Sequence, residues 1–468
     1  MDDLNLEMQT PFDIVADLDT PVSAYLKLRD LKPRFLLESV EGGERLARYS
    51  FLGFGDALQV RLDSKIFSIG EEEFERPQNQ MDYLNLLRKG LAAAPQLTPL
   101  VEGLPFSGGL VGVSGYDVVR LFERLPQNTM PQIGIPEAAF IAPSSMLIFD
   151  HLTRRVALLH NSSDAERQNL RKEVIKLLRG TIPSNANTVS TSPAVGSMTY
   201  QQFAERVETC KEYIAAVDIY QIVLSILFRG ESNIPPFEVY RALRLLNPSP
   251  YMFFLEFGDL KVVGSSPEAL VKLIGRAASL RPIAGTLQRG MTSEEDRDNE
   301  SSLLGDPKES AEHVMLVDLA RNDLGRVAVA GSVHVDPYRV IERYSHVMHI
   351  VSGVQGELAA EYDAFDLFAA SFPAGTLVGA PKVRAMEIIE EMEDVGRGLY
   401  AGAAGYYGSG GDMDQAITIR TLVFNGNEYS YQAGAGLVAD SVSEREFQEI
   451  LAKSAILRRA LEIAGGNL

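Results

Sequence analysis

Two pairs of carboxylates sit at helical spacing in this chain of 468 residues: Glu309 with Glu312, and Glu446 with Glu449. Residues three apart on a helix share a face, so each pair can present two carboxylates to one point. Two such faces meeting would make an oxygen-rich site of the kind Mg²⁺ takes, with waters and a substrate anion completing the shell. The spacing leaves a second reading open. Acidic residues also favour helix N-termini through the macrodipole, and Lys453 stands four residues after Glu449 as an ion-pair partner.

Arg420 is the next residue with chemistry to offer. Alternation over Ala416 to Phe424 predicts a strand with Ile417, Ile419, Thr421 and Val423 on one face, and Thr418, Arg420, Leu422 and Phe424 on the other. An arginine among apolar neighbours either snorkels to the edge or holds an anion, best a carboxylate taken bidentately. Beside it, Gln432-Ala433-Gly434-Ala435-Gly436 reads as a place where backbone amides approach a ligand, or as a tight turn.

Other familiar machinery is missing. Gly375 to Lys382 has the wrong glycine spacing for a phosphate loop, and Pro381 precedes the lysine. Gly112-Val113-Ser114-Gly115 does not match a nucleophile elbow. His346 and His349 fall in an alternating stretch, Tyr344 to Ser352, where residues three apart face opposite sides and cannot chelate one metal together. The single cysteine, Cys210, excludes an intrachain disulfide and any cysteine-rich zinc site.

The elements that must carry these residues read as mixed. Short strands are predicted at Arg34–Ser39, Ser50–Phe54 and Ala57–Leu62, around a turn at Glu41-Gly42-Gly43-Glu44. Helices are predicted at Asp82–Ala93, Asp164–Arg179, Tyr200–Val217 and Ser443–Ala464. Gln415–Phe424 and Glu428–Ala433 flank Asn425-Gly426-Asn427, a hairpin signal. Helices and antiparallel hairpins without a βαβ rhythm imply an α+β fold. The uncharged, Ser/Thr/Pro-rich stretch over 181–198 has linker composition, giving an N-terminal domain at 1–180 and a larger one at 199–468.

Composition narrows the function classes. With 44 Lys+Arg against 63 Asp+Glu the formal net charge is −19, which disfavours nucleic acid and anionic membranes as partners. The acidic N-terminus does not resemble a secretory signal, and no apolar run is long enough to span a bilayer, so the cytoplasm is the expected compartment. The chain contains no Trp.

In order along the chain stand LLESVEGGERLARYSFLG (36–53), DIYQIVLS (218–225), NPSPYMFFLE (247–256), GSSPEAL (264–270), RPIAGT (281–286), DPKESAEHVMLVDLARNDLGRV (306–327), SFPAGTLVGAPKVRAMEII (371–389), YAGAAGY (400–406), ITIRT (417–421) and AGAGLVADSVSEREFQE (433–449). Together they resemble the chorismate-utilising enzymes, and within them the large subunits (component I) of the anthranilate synthases. The resemblance implies a chorismate-binding core of antiparallel sheets with flanking helices, and an N-terminal α+β domain packed on it. It implies conversion of chorismate and ammonia to anthranilate and pyruvate, with Mg²⁺ held by Glu309, Glu312, Glu446 and Glu449. Glu268 would be the general acid that protonates the leaving hydroxyl, with a pKa raised by burial. Arg420 and Tyr400 would bind the enolpyruvyl carboxylate with the amides of Gly434, Ala435 and Gly436. Gly285 and Thr286 would line the ring pocket, Thr376 would lie beside it, Lys453 would help hold a carboxylate, and His349 would move a proton during pyruvate loss.

Two positions separate relatives. Gln221 stands where isochorismate and salicylate synthases carry a lysine to deprotonate water, which neutral ammonia does not need. Ala284 stands where aminodeoxychorismate synthases typically carry a nucleophilic lysine. One departure is Ile226-Leu227-Phe228, where relatives often have Gln-Arg-Phe. Glu38, Ser39, Pro250, Tyr251 and Met252 resemble the family's tryptophan-feedback site, which would have Glu38 hold the amino group, Ser39 make a further polar contact, and Pro250, Tyr251 and Met252 wall the indole. Because Cys210 lacks the turn that exposes a nucleophile, a separate glutamine amidotransferase subunit is the expected partner, in a hetero-oligomer. The alternatives are an aminodeoxychorismate synthase, or a non-catalytic tryptophan-binding regulator.

Overall fold

The computed structural model describes residues 11–39, 48–183, 189–343 and 347–466. The α+β expectation holds. Among these residues, 21 strands join one large curled antiparallel sheet, a three-stranded sheet stands apart, and helices flank both. Strands from either side of the 181–198 stretch pair directly. Pro33–Glu38 lies against Tyr251–Phe257, with Leu36 opposite Phe254, and Gly109–Ser114 lies against Ala403–Gly408, with Gly112 opposite Gly405.

The segments expected as two strands at 50–54 and 57–62 form one, Tyr49–Leu62. Its register slips between Phe54 and Ala57, where Gly55 takes φ +86°. A glycine tolerates that left-handed conformation, so the strand bends without ending. The turn expected at 41–44 lies outside the described residues. The hairpin signal is realised as Thr421–Asn425 and Glu428–Leu437 around Gly426 at φ +61°.

Helix starts follow side-chain capping. Ser163 with Glu166 and Thr199 with Gln202 close capping boxes on Asp164–Leu178 and Tyr200–Ala215. Asp306 accepts from the amides of Lys308 and Glu309 and Pro307 occupies the first turn, which fixes where Pro307–Gly325 begins and so where Glu309 and Glu312 stand. The last helix, Ser443–Gly465, starts after Val442 without a side-chain cap.

The strand Gln221–Glu231 pairs along its length with Glu428–Leu437, and side-chain alternation gives this pair two different faces. Ile222, Leu224, Ile226, Ala433, Ala435 and Leu437 pack outward in one core with Phe203, Val207, Cys210 and Ile450 of the two helices that cover them. Gln221, Val223, Ser225 and Leu227 share the inner face with Gly436, Gly434 and Gln432. Ile226 therefore packs in the helix-covered core, while Leu227 points inward onto a cavity also lined by Arg397, Tyr400, Thr418 and Gln432.

Where neighbouring strands of the sheet approach closely, glycine is obligatory. A Cβ at Gly112 would lie 2.0 Å from the Ala139 carbonyl oxygen of the neighbouring strand, a backbone atom that cannot step aside. Gly112→Ala should therefore lower the free energy of unfolding by about 3 kcal/mol, the upper end of overpacking costs. Urea denaturation measures it, and an unchanged midpoint would refute the close approach.

Candidate active site

Glu309 and Glu312 extend from the first turns of Pro307–Gly325, and Gln221 donates from Nε2 to Glu312 Oε1 at 3.1 Å. Gly285 sits in a left-handed conformation at φ +65°, and a Cβ there would lie 3.1 Å from Glu309 Oε2. Burial first, then repulsion from Glu312 and Asp306 and from Glu449 of the last helix, pushes the Glu309 carboxyl above its ordinary range. Glu446 is raised likewise by burial and by Glu449, against a hydrogen bond from Ser441. The two helix starts thus feel each other's charge. No group of three His, Cys, Asp or Glu side chains converges closely enough to hold a metal among the described residues. As a donor set, carboxylate oxygens without a soft ligand suit a hard dication such as Mg²⁺. Glu449 also pairs with Lys453 at 2.6 Å, the ion pair its spacing allowed.

Glu268 lies at the wall of a cleft with about 380 Å³ of empty space, lined also by Arg281, Asp323, Ser371 and Thr376. Thr376 Oγ1 donates to its Oε1 at 3.1 Å. Burial dominates and lifts the Glu268 carboxyl to about 8, while the Thr376 bond and the Lys453 charge oppose the rise. At neutral pH this carboxyl keeps its proton, the state a general acid requires.

Arg420 is not on a strand face. The expected strand over 416–424 breaks into Met413–Ile417 and Thr421–Asn425, and Arg420 sits between them at φ +50°. Ala401 N bonds Thr418 O, Thr418 N bonds Gly402 O, and Ser265 N bonds Arg420 O, so neighbouring segments pin the break on both sides. Among the described residues the Arg420 guanidinium has no carboxylate within 4.0 Å, and it donates to Lys453 O at 3.4 Å. Burial lowers its pKa. A partly buried arginine with no carboxylate partner among the described residues can take a ligand carboxylate.

Gly434 and Gly436 make the remaining room. A Cβ at Gly434 would lie 2.7 Å from Tyr400 Oη, and one at Gly436 would lie 2.8 Å from Gln221 Nε2. Ala435 faces the other way: its methyl packs under the helices, so only its backbone borders the site. Pairing with Thr421–Asn425 ends at Leu422 opposite Tyr431, which opens that edge of residues 432–437. Lys453 Nζ donates to Gly434 O at 3.0 Å. In the separate sheet, His349 is opposite Thr286, and its Nδ1 is 2.9 Å from Gly285 O. The Thr286 side chain, like His346, lies outside the described residues. Ala284 is buried on the same strand.

Away from this cluster, Glu38 is opposite Met252 in the sheet, with Ser39 next in the chain. Tyr240 donates to the Glu38 carboxylate, and Arg244 donates to it at 3.0 and 3.2 Å. Tyr251 instead donates to Asp414, and Pro250 is half-buried before it. Sequence reasoning missed Tyr240 and Arg244, although four-residue spacing on Pro236–Leu246 puts them on one face. It also missed the buried pair of Arg397 and Glu393, again four apart. Cys210 is buried under the sheet, and burial pushes its thiol up to about 12, which removes it as a nucleophile.

A family model described as chorismate binding enzyme matches residues 32–459. The chain is 45% identical to anthranilate synthase component 1 of Aquifex aeolicus, over 97% of this chain and 94% of that one. It is 43% identical to the protein of the same name from Thermus thermophilus, over 97% and 98% respectively. Among solved structures, anthranilate synthase component I of Streptococcus pneumoniae superposes with a TM-score of 0.79 at 36% identity, covering 88% of this chain and 92% of that one. The menaquinone-specific isochorismate synthase of Escherichia coli shares the fold, with a TM-score of 0.69 at 20% identity over 94% and 91%. The motifs, the sheet and these full-length similarities agree: the chain belongs to the chorismate-binding enzyme family, among its anthranilate synthase component 1 members.

Proposed function

We propose that this chain is the chorismate-converting subunit of an anthranilate synthase, joining chorismate and ammonia to give anthranilate, pyruvate and water. The observation that carries the reading is Glu268, a carboxyl held protonated by burial and oriented by Thr376 at the wall of the cleft. Hydroxide is a poor leaving group, so the ring C4 hydroxyl must receive a proton as ammonia adds at C2. Glu268 gives that proton and water departs. Loss of the C2 proton and of pyruvate then makes the ring aromatic, with His349 placed to move a proton.

Arg420 takes the enolpyruvyl carboxylate, with Tyr400 beside it and the backbone of Gly434, Ala435 and Gly436 completing the cradle. Lys453 is held near by Glu449 and the Gly434 carbonyl. Gly285 borders the ring pocket through its bulge, and Thr286 shares that strand. Gln221, a residue 7% exposed, has its amide nitrogen fixed by Glu312 while its Oε1 has no hydrogen-bond partner among the described residues, leaving an acceptor for an ammonia N–H. A bound Mg²⁺ held by Glu309, Glu312, Glu446 and Glu449 would neutralise the ring carboxylate. Ala284 offers no amine for covalent attack at C2, which favours pyruvate release over aminodeoxychorismate formation. With Cys210 inert, glutamine hydrolysis falls to a partner amidotransferase subunit. Glu38, with Ser39, Pro250, Tyr251 and Met252, would bind tryptophan as a feedback inhibitor.

The test is fluorescence of newly formed anthranilate from the purified chain, chorismate, Mg²⁺ and ammonium, with pyruvate assayed alongside. Both products together are expected. Chorismate consumed without pyruvate would indicate the aminodeoxy product, and no turnover would refute the reading.

Outcomes follow at the acid, at the metal-binding glutamates and at the Glu38 pocket. Because Glu268 must be protonated and its pKa is about 8, kcat should fall as pH rises through that value. Glu268→Gln should cost about 10²–10⁴-fold in kcat, and Thr376→Val, which removes a bond favouring the carboxylate, should move the alkaline limb to higher pH. Chelation with EDTA should abolish anthranilate formation and Mg²⁺ should restore it, while Glu312→Gln weakens Mg²⁺ binding in calorimetry. Tryptophan should inhibit, and Glu38→Gln should raise the concentration for half-inhibition about tenfold, the loss of roughly 1.4 kcal/mol.

A further inference from the structure

Arg397 is 1% exposed, and no role in the reaction has been given to it above. Its guanidinium spends its donors on three different segments. Nη1 donates to Leu377 O at 2.7 Å, and Nη2 donates to Val223 O at 2.7 Å. Nε and Nη2 take the Glu393 carboxylate at 3.0 and 2.8 Å. Glu393, 5% exposed, also accepts from the amide and hydroxyl of Ser225 at 2.9 and 2.7 Å. The plane of Arg397 further lies 5.7 Å from the Tyr400 ring centre and 5.0 Å from that of Tyr116.

Each of these segments carries part of the site. Leu377 follows Thr376 in a single turn of 3₁₀ helix, Gly375–Leu377, which has no side-chain cap. Val223 lies two residues from Gln221 on the same inner face, and Val223 N also bonds Val378 O. Tyr400 abuts Gly434. A fully buried guanidinium is an expensive way to fill space, since each ion costs several kcal/mol to desolvate. Its planar fork supplies what an aliphatic side chain cannot: several directed bonds from one rigid group.

We propose that Arg397 is a positioning residue: its guanidinium, held by Glu393, fixes the Thr376 turn and the Tyr400 ring against the strand that bears Gln221. Arg397 thereby acts on Glu268 through Thr376. The charged groups facing Glu268 are Lys453 from the last helix and, around the cleft, Arg281 and Asp323, the latter bound to Lys382. None of these touches Arg397.

Arg397→Lys keeps the charge beside Glu393 but cannot span both carbonyls. The experiment compares Arg397→Lys, Thr376→Val and the double variant, following the carboxyl band of Glu268 by infrared titration, assigned with Glu268→Gln, together with pH profiles of kcat. The expected result is that Arg397→Lys moves the Glu268 midpoint upward, in the direction of Thr376→Val. The double variant should move no further than Thr376→Val alone. The rate should fall about tenfold to a hundredfold from the misplaced turn. A midpoint left at its wild-type value in folded Arg397→Lys, or shifts that simply add, would overturn the proposal. If Arg397→Lys does not fold, Arg397→Met with Glu393→Leu removes both charges of the pair and is read the same way. The proposal rests on Glu268 as the acid, yet the two fail separately. A chain that makes no anthranilate while its infrared midpoints behave as stated defeats the functional reading alone.

Discussion

The site depends on the absence of two side chains. Gly434 and Gly436 lie on the inner face of one strand, and Tyr400 and Gln221 occupy the volume their Cβ atoms would fill. Strand alternation makes this possible, because the intervening Ala433, Ala435 and Leu437 are free to pack beneath the helices. One strand thus serves a dense apolar core with one face and a polar cleft with the other. The same division runs through its partner, where Ile222, Leu224 and Ile226 anchor the core while Gln221 and Ser225 turn inward.

On this frame charge is distributed unevenly. Arg397 and Glu393 are buried and fully paired, so they are rigid and cost the interior little beyond their desolvation. Arg420 is partly buried and, among the described residues, has no carboxylate partner, while burial first and then neighbouring glutamates raise the pKa of Glu309 and Glu446 at two helix starts. Arg420 thus offers a cation to an anionic ligand, while the glutamates, of which Glu449 already pairs with Lys453, offer oxygens to a cation. A dicarboxylate with a dication would satisfy both, and this complementarity is the electrostatic content of the proposed function.

Parts of this were legible in the chain. The helices expected from Asp164 and Tyr200 start where expected, and Ser163 and Thr199 cap them, because capping is a local matter of side chain and nearby amide. The Asn425-Gly426-Asn427 hairpin was local in the same sense. Arg420 misled, since alternation over 416–424 describes a continuous strand and gives no hint of the break at 418–420. That break is held by Gly402, Ala401 and Ser265, residues from elsewhere in the sequence. Ala435 misled in the opposite way: a run of small residues says that something comes close, but not on which face. Leu227, a departure from the family pattern, proves to line an inner cavity rather than to alter the helix-covered core.

The sequence by itself determined the family and the α+β class and nominated the candidate site residues, because these rest on motifs and on spacing along one element. Only the tertiary structure decided which groups meet and in what state. Glu268 acquires a pKa of about 8 from burial by segments that lie far from it in the chain, with Thr376 arriving from 108 residues away. Glu38 receives Tyr240 and Arg244 from a helix some 200 residues later. Arg397 gathers Val223 from 174 residues before it and Leu377 from 20. Desolvation and hydrogen bonding depend on distance in space, and a sheet that pairs early strands with late ones makes that distance unreadable from position in the chain.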